Sequence, residues 1–123
     1  NASPSSMRAS LETTAALYPG RRVAVLGDML ELGTAAEKAH CDVGRRAAEL
    51  GFAMVVTYGK QAQWTHEAAE AAGCPACYHA ASHADAAAYL RRHLMDGDTV
   101  LFKGSRGMRM EQIIAALTGE GAH

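Results

Sequence analysis

The sequence predicts an α/β fold, a Rossmann-like, doubly wound, mostly parallel sheet flanked by helices. Three observations predict it. Short β-branched and aliphatic runs, RVAVL at 22–26 and TVLF at 99–102, each break into glycine and charge and then into a helical pattern. Apolar residues recur at helical spacing between such runs, so strands alternate with helices, which implies right-handed crossovers. No repeat, low-complexity segment or internal linker interrupts the 123 residues, so 1–123 reads as a single domain able to bury a core.

Composition bounds the function. Hydrophobic residues make up 49% of the chain and charged residues 20%, the balance of a globular protein. A net charge of −1 gives no basic footprint for nucleic acid and no polybasic membrane patch. The longest apolar runs are about five residues, against the roughly 20 needed to cross a bilayer. Three cysteines, an odd number, argue against a disulfide framework and for a reducing, cytoplasmic compartment. The chain opens Asn1-Ala2-Ser3-Pro4 without an initiator Met. That reads as a piece of a longer chain, or as an expression scar at Asn1-Ala2.

The elements follow in order. Ser3 and Pro4 read as N-cap and first position of a helix over 4–17, with Met7, Leu11, Thr14 or Ala15, and Tyr18 at helical spacing. Pro19-Gly20 ends it. Strand 22–26 delivers the loop 27–33. Thr34 and Glu37 then predict a capping box for a second helix that buries Ala36, Ala39, Val43, Ala47 and Leu50 and stops at Gly51. Strand 53–57 passes through Tyr58-Gly59-Lys60 into a helix over 61–72, with Trp64, Ala68 and Ala71 inward. A short strand at 77–79 precedes a fourth helix, capped by Ser82 and Asp85 and carrying Ala86, Leu90 and Leu94. Strand 99–102 leads to a last helix over 108–117 with Met110, Ile113, Ile114 and Leu117, and 119–123 is expected to fray.

Two loops carry the candidate chemistry. GDMLELG (27–33) holds Asp28, Met29 and Glu31; KGSRG (103–107) holds Lys103, Gly104, Ser105, Arg106 and Gly107. In one parallel sheet both loops emerge at the carboxyl edge, where α/β sheets bind ligands, and they make an acidic and a basic wall. Gly104 and Gly107 let backbone approach a ligand. His40, one turn before Gly44, is as much a structural as a functional candidate. Cys74-Pro-Ala-Cys77 follows a helix and enters a strand, the reverse of redox-active order, and zinc would need a second pair. The histidines show no zincin spacing, and His66 and His93 read as solvated helix surface. No P-loop occurs.

The combination of NASPSSM at 1–7, AVLGDMLELG at 24–33 with His40 downstream, and VLFKGSRGMRME at 100–111 resembles the C-terminal domain of the Mur ligase family. The family pattern runs close to Y-N-A-N-P-x-S-M, then G-D-M-x-E-L-G with a later His, then K-G-S-R-x-M. Ser3 stands where that pattern has Asn, and the family's preceding Asp-x-Tyr is missing. The resemblance covers essentially the whole chain. It implies an ATP-dependent ligase of peptidoglycan precursor synthesis that joins D-Ala-D-Ala to UDP-N-acetylmuramoyl-tripeptide. It implies ATP and Mg2+ as cofactors, held mainly by a central domain outside this chain, so the chain alone is expected to be inactive, with no catalytic or metal-binding residue of its own. A monomer is expected.

On that reading Arg106 and backbone N–H groups at the start of the last helix suit the dipeptide carboxylate, Lys103 adds charge to the same ligand or faces a phosphate, and Asp28 or Glu31 suits the dipeptide ammonium. Asn1 would lie near the nucleotide by resemblance only. The bland alternatives stand beside these: Asp28 hydrogen-bonding loop amides, Glu31 capping the second helix, and Lys103 and Arg106 pairing with the acids as a latch. The other function class is a stand-alone ligand-binding or regulatory α/β domain, separable by whether a P-loop region precedes Asn1 in the gene.

Overall fold

The computed structural model describes residues 2–119. Strands β1 (Arg22–Gly27), β2 (Met54–Tyr58), β3 (Ala76–Ala80) and β4 (Thr99–Lys103) form one sheet in the order β3-β2-β1-β4. All pairings are parallel, with Val25 of β1 beside both Val56 and Phe102. Helices α1 (Pro4–Leu17), α2 (Ala36–Glu49), α3 (Ala62–Ala71), α4 (His83–His93) and α5 (Glu111–Thr118) cover the two faces.

Strand alternation sets the layers. Ala24, Leu26 and Val55 point to one core with Met7, Leu11, Val43 and Ala69 from α1, α2 and α3. Val23, Val25, Met54 and Val56 point to the other with Ala86, Leu90, Met110 and Ile113 from or beside α4 and α5. Because β1 is covered on both sides, its sequence is a continuous apolar run and not an alternating one.

Local chemistry accounts for the element ends, with four departures from expectation. The capping box forms at α1, where the Ser3 hydroxyl accepts from the Ser6 N–H and the Ser6 hydroxyl accepts from the Ser3 N–H. It does not form at Thr34 and Glu37. There Gly33–Ala35 is a 3₁₀ turn, and its flanking residues Leu32 and Ala35 are already helical, so α2 starts without the extended N-cap that a side-chain cap needs.

In α3 the buried face is Ala62, Thr65 and Ala69, with Ala71 exposed and Trp64 and Ala68 half-buried. The cause lies in α2: a side chain at Gly44 would collide with the Thr65 carbonyl, so the helices meet through Thr65 and Ala69. The last helix begins at Glu111, because Arg109 is left-handed (φ 50°) and separates α5 from a 3₁₀ turn at Arg106–Met108. Finally, Ile114 and Tyr18 point outward. The α4 cap is as expected: the Ser82 hydroxyl accepts from the Asp85 N–H at 2.9 Å. Asp85 in turn accepts from the Ala81 N–H and the Tyr78 hydroxyl, which hold its carboxyl below the usual range. Gly119 closes α5 in a left-handed conformation. Of the expected fraying tail, 120–123 lie outside the described residues, as does Asn1.

Candidate functional site

From β1 the chain moves through α2 and α3 out to β2 and β3, then returns through α4 to β4 on the other side of β1. The connections therefore reverse direction between β1 and β4, which is where doubly wound sheets open a crevice at their carboxyl ends. Both glycine-and-charge loops do emerge there.

They are laced to each other. The Ser105 N–H donates to the Asp28 carbonyl at 2.9 Å, and the Leu30 N–H donates to Ser105 Oγ at 2.9 Å. Ser105 is accordingly buried. Gly104 permits the crossing: a Cβ there would sit 3.1 Å from Gly27 Cα and 3.0 Å from Met110 Cγ.

The Asp28 side chain is buried too, and its Oδ1 accepts from the Ala62 N–H at 2.7 Å, at the N-terminus of α3. The donor is an amide of α3 and not one of the loop's own amides, so the carboxylate ties its loop to that helix. A carboxylate suits that position, since it satisfies an otherwise orphaned donor and faces the positive end of the helix dipole. Gly59 (φ 117°) leaves the carboxylate room, because a Cβ there would overlap it.

His40 is fully buried and fully paired. Its Nε2 accepts from the Met29 N–H at 2.9 Å, which leaves Nδ1–H to donate to the Ala36 carbonyl at 2.7 Å. His40 thus holds the loop 27–33 from below, and Met29 packs into the core beside it.

The remaining candidates differ. Glu31 is exposed, adopts a left-handed φ of 65°, and makes no hydrogen bond or ion pair among the described residues. Arg106 is likewise exposed and without an ion pair to Asp28 or Glu31, so the latch between the loops is Ser105. Arg106 also opens the 3₁₀ turn and not the last helix, which removes the expected helix N-terminal amides from its side. Lys103 ends β4, half-buried and in register with Leu26. Gly107 faces Leu30. On the far side His83, in the first turn of α4, donates from Nε2 to the Met108 carbonyl at 2.8 Å and tethers the end of this loop.

Beside the laced junction lies an open cleft of roughly 540 Å³, between the β1–α2 loop and the start of α3. Glu31 and Leu32 line one wall; Lys60, Gln61, Trp64 and Glu67 line the other. None of the second wall stood among the sequence-derived candidates. The signal was present, since Tyr58-Gly59-Lys60 repeats the pattern of a strand breaking into glycine and charge. Beneath the start of α3, His79 is hydrogen-bonded through Nδ1 to the buried Thr57 hydroxyl at 2.7 Å. Burial, and then His66 nearby, push its pKa down, with Asp28 and Glu67 pulling weakly the other way. His66 is mostly covered and not solvated, its ring 6.1 Å from that of His79.

Burial, and then Glu37, raise the Cys41 thiol, and burial, and then Cys74, push the Cys77 thiol up to about 12, so neither is activated. No group of three or more His, Cys, Asp or Glu among the described residues could hold a metal ion. The described residues thus give Mg2+ no cluster of ligands. No described helix is long and apolar enough to cross a membrane.

Comparison with known proteins places this fold. Residues 1–106 match the Mur ligase, glutamate ligase domain, and the chain belongs to that family. Within it, the chain is 36% identical over 95% of its length to the UDP-N-acetylmuramoyl-tripeptide–D-alanyl-D-alanine ligase of Bacillus subtilis, and 36% identical over 98% to the enzyme of that name from Escherichia coli. A MurF ligase from Thermotoga maritima, solved in complex with ADP, superposes with a TM-score of 0.82 at 28% identity over 98% of the chain. MurF from Acinetobacter baumannii superposes at 0.83 with 32% identity over 97%. The chain spans about a quarter of each of these relatives, 26% in all four.

Proposed function

We propose that this chain is the C-terminal, acceptor-side domain of an ATP-dependent ligase that adds D-Ala-D-Ala to UDP-N-acetylmuramoyl-tripeptide. The observation that carries the reading is similarity along nearly the whole chain to ligases of that name, the two laced loops lying on the matched stretch. In the reaction the tripeptide's terminal carboxylate takes the γ-phosphoryl group of ATP, giving an acyl phosphate and ADP. The dipeptide amine then attacks the acyl carbon, loses a proton and expels phosphate.

ATP and Mg2+ belong to parts of the enzyme outside this chain; the magnesium neutralises phosphate charge there. Asn1 approaches the nucleotide by resemblance alone. This chain supplies a rigid edge. Asp28, Met29, Gly104 and Ser105 shape it, and the unpartnered Glu31 and Arg106, with Lys103, meet the charged groups of acceptor and acyl phosphate. Gly107 lets the backbone beside Arg106 stay close to Leu30. The protein acts in the cytoplasm as a monomer, and closure of the other domains onto this edge brings the acyl phosphate up to the bound acceptor.

The test is ADP release by the protein that carries this chain, with each substrate omitted in turn. The expected result is release that requires both the UDP-muramoyl-tripeptide and D-Ala-D-Ala. Release that proceeds with a single amino acid and ignores the dipeptide overturns the reading.

A further inference from the structure

We propose that the cleft between the β1–α2 loop and the start of α3 is the seat of the acceptor dipeptide, with Lys60, Gln61 and Glu31 as its specificity determinants. The inference rests on the acceptor reading above and assigns it to residues outside the two motif loops.

Four observations converge on the cleft. Its volume of roughly 540 Å³ falls within the range of small-molecule sites, about 300–1,000 Å³. Charge is arranged across it: Glu31 stands on one wall, Lys60 on the other, and neither has a hydrogen-bond or ion-pair partner among the described residues. Gln61 Oε1 is buried yet accepts no hydrogen bond. A buried acceptor left unpaired is costly, so an N–H donor entering the cleft would gain it. Lastly, the left-handed conformation of Glu31 is sparsely populated for a residue with a Cβ. Strain held in place by its neighbours points to a site where it is used. Here the His40–Met29 bond and the Leu30–Ser105 bond fix the chain immediately before Glu31.

The cleft's chemistry reads directly as a ligand. A carboxylate wall suits an ammonium, a lysine suits a carboxylate, and the unpaired amide oxygen of Gln61 beside that lysine suits a peptide N–H. Trp64, half-buried, offers a flat apolar surface for small side chains. A short zwitterionic peptide with methyl side chains carries all four features. A nucleoside triphosphate does not fit, because Glu31 and Glu67 would oppose its phosphates. Arg106, on the neighbouring loop, is then left for the acyl phosphate side of the reaction.

Trp64 is the chain's one tryptophan, so its emission reports on this cleft alone. The experiment titrates the 123-residue chain with D-Ala-D-Ala, following Trp64 fluorescence and backbone amide shifts. Parallel arms use N-acetyl-D-Ala-D-Ala, the dipeptide C-terminal amide, and ATP. We expect saturable changes at Trp64 and in the amides of 31–33 and 60–64, at least tenfold weaker binding for either blocked dipeptide, and at least tenfold weaker binding in Lys60→Met. Silence at Trp64 and at those amides overturns the proposal, as does a Lys60→Met chain with undiminished affinity, or a response to ATP alone. Shifts confined to 103–107 also overturn the cleft assignment while leaving the acceptor reading intact; that reading fails separately, on ADP release that ignores the dipeptide.

Discussion

At the β1–β4 junction the polar groups named here are almost all satisfied from within: the Asp28 carbonyl and carboxylate, Ser105 Oγ, and the amides of Met29 and Leu30 each have a partner in the fold. One strand over, in the β1–β2 cleft, Glu31, Lys60 and Gln61 Oε1 have none. The two regions share an edge and a loop, and they divide the labour. The junction makes a floor by pairing nearly all of its buried polar groups, and the cleft leaves these three groups without a partner. A strong motif therefore mixes residues that hold the fold with residues that face solvent. In GDMLELG, Asp28 and Met29 face the fold while Glu31 faces outward.

The sharpest way to break this division is at Gly104. A valine there would push its Cβ against Gly27 backbone and Met110, and backbone cannot move aside as a flexible side chain can. The expected loss is about 3 kcal/mol of stability, read as a lowered urea midpoint, with the amide signals of 27–33 and 103–108 dispersed. An unchanged midpoint would mean the loops are not tightly crossed.

A smaller effect is expected at His40. Replacing it by leucine keeps an apolar filling of similar size but leaves the buried Met29 N–H without an acceptor, which costs about 1–3 kcal/mol. Because His40 lies beneath the loop and not in the cleft, dipeptide affinity should fall only as far as Glu31 is displaced. A stable His40→Leu chain that still binds the dipeptide fully would show that the cleft holds its shape without the junction.

Most of the fold was legible, and for identifiable reasons. The sheet followed from β1, whose burial on both faces forces an uninterrupted apolar run, and from the repeated break of strand into glycine and charge. The α4 cap was legible because Ser82 and Asp85 interact over three residues. What failed depended on distant partners. The inward face of α3 is set by Gly44 on another helix, and the start of α5 by a left-handed Arg109 that nothing in its neighbours announces. The site divides the same way. The motif loops were readable as an edge, but the roles of Asp28 and His40 depend on Ala62 and Met29, 34 and 11 residues away. The cleft is assembled from separate segments, so no local spacing reveals it.

Acid sharpens the comparison with the smallest effect. His79 lies on the cleft side of the sheet, beneath α3, with its pKa lowered by burial and by His66. A histidine whose folded pKa lies below its ordinary value near 6.5 favours the fold while neutral. Its contribution is complete above that value and is lost as pH falls through the depressed folded pKa. The urea midpoint should therefore drop as the pH falls below about 6.5, and less so in His79→Gln, where the side chain no longer takes up a proton. Amide shifts should respond first around Thr57, His66 and His79, which share the covered pocket. If instead the β1–β4 loops respond first, the junction is the softer of the two regions and its internal pairing does not make it the floor on which the cleft rests.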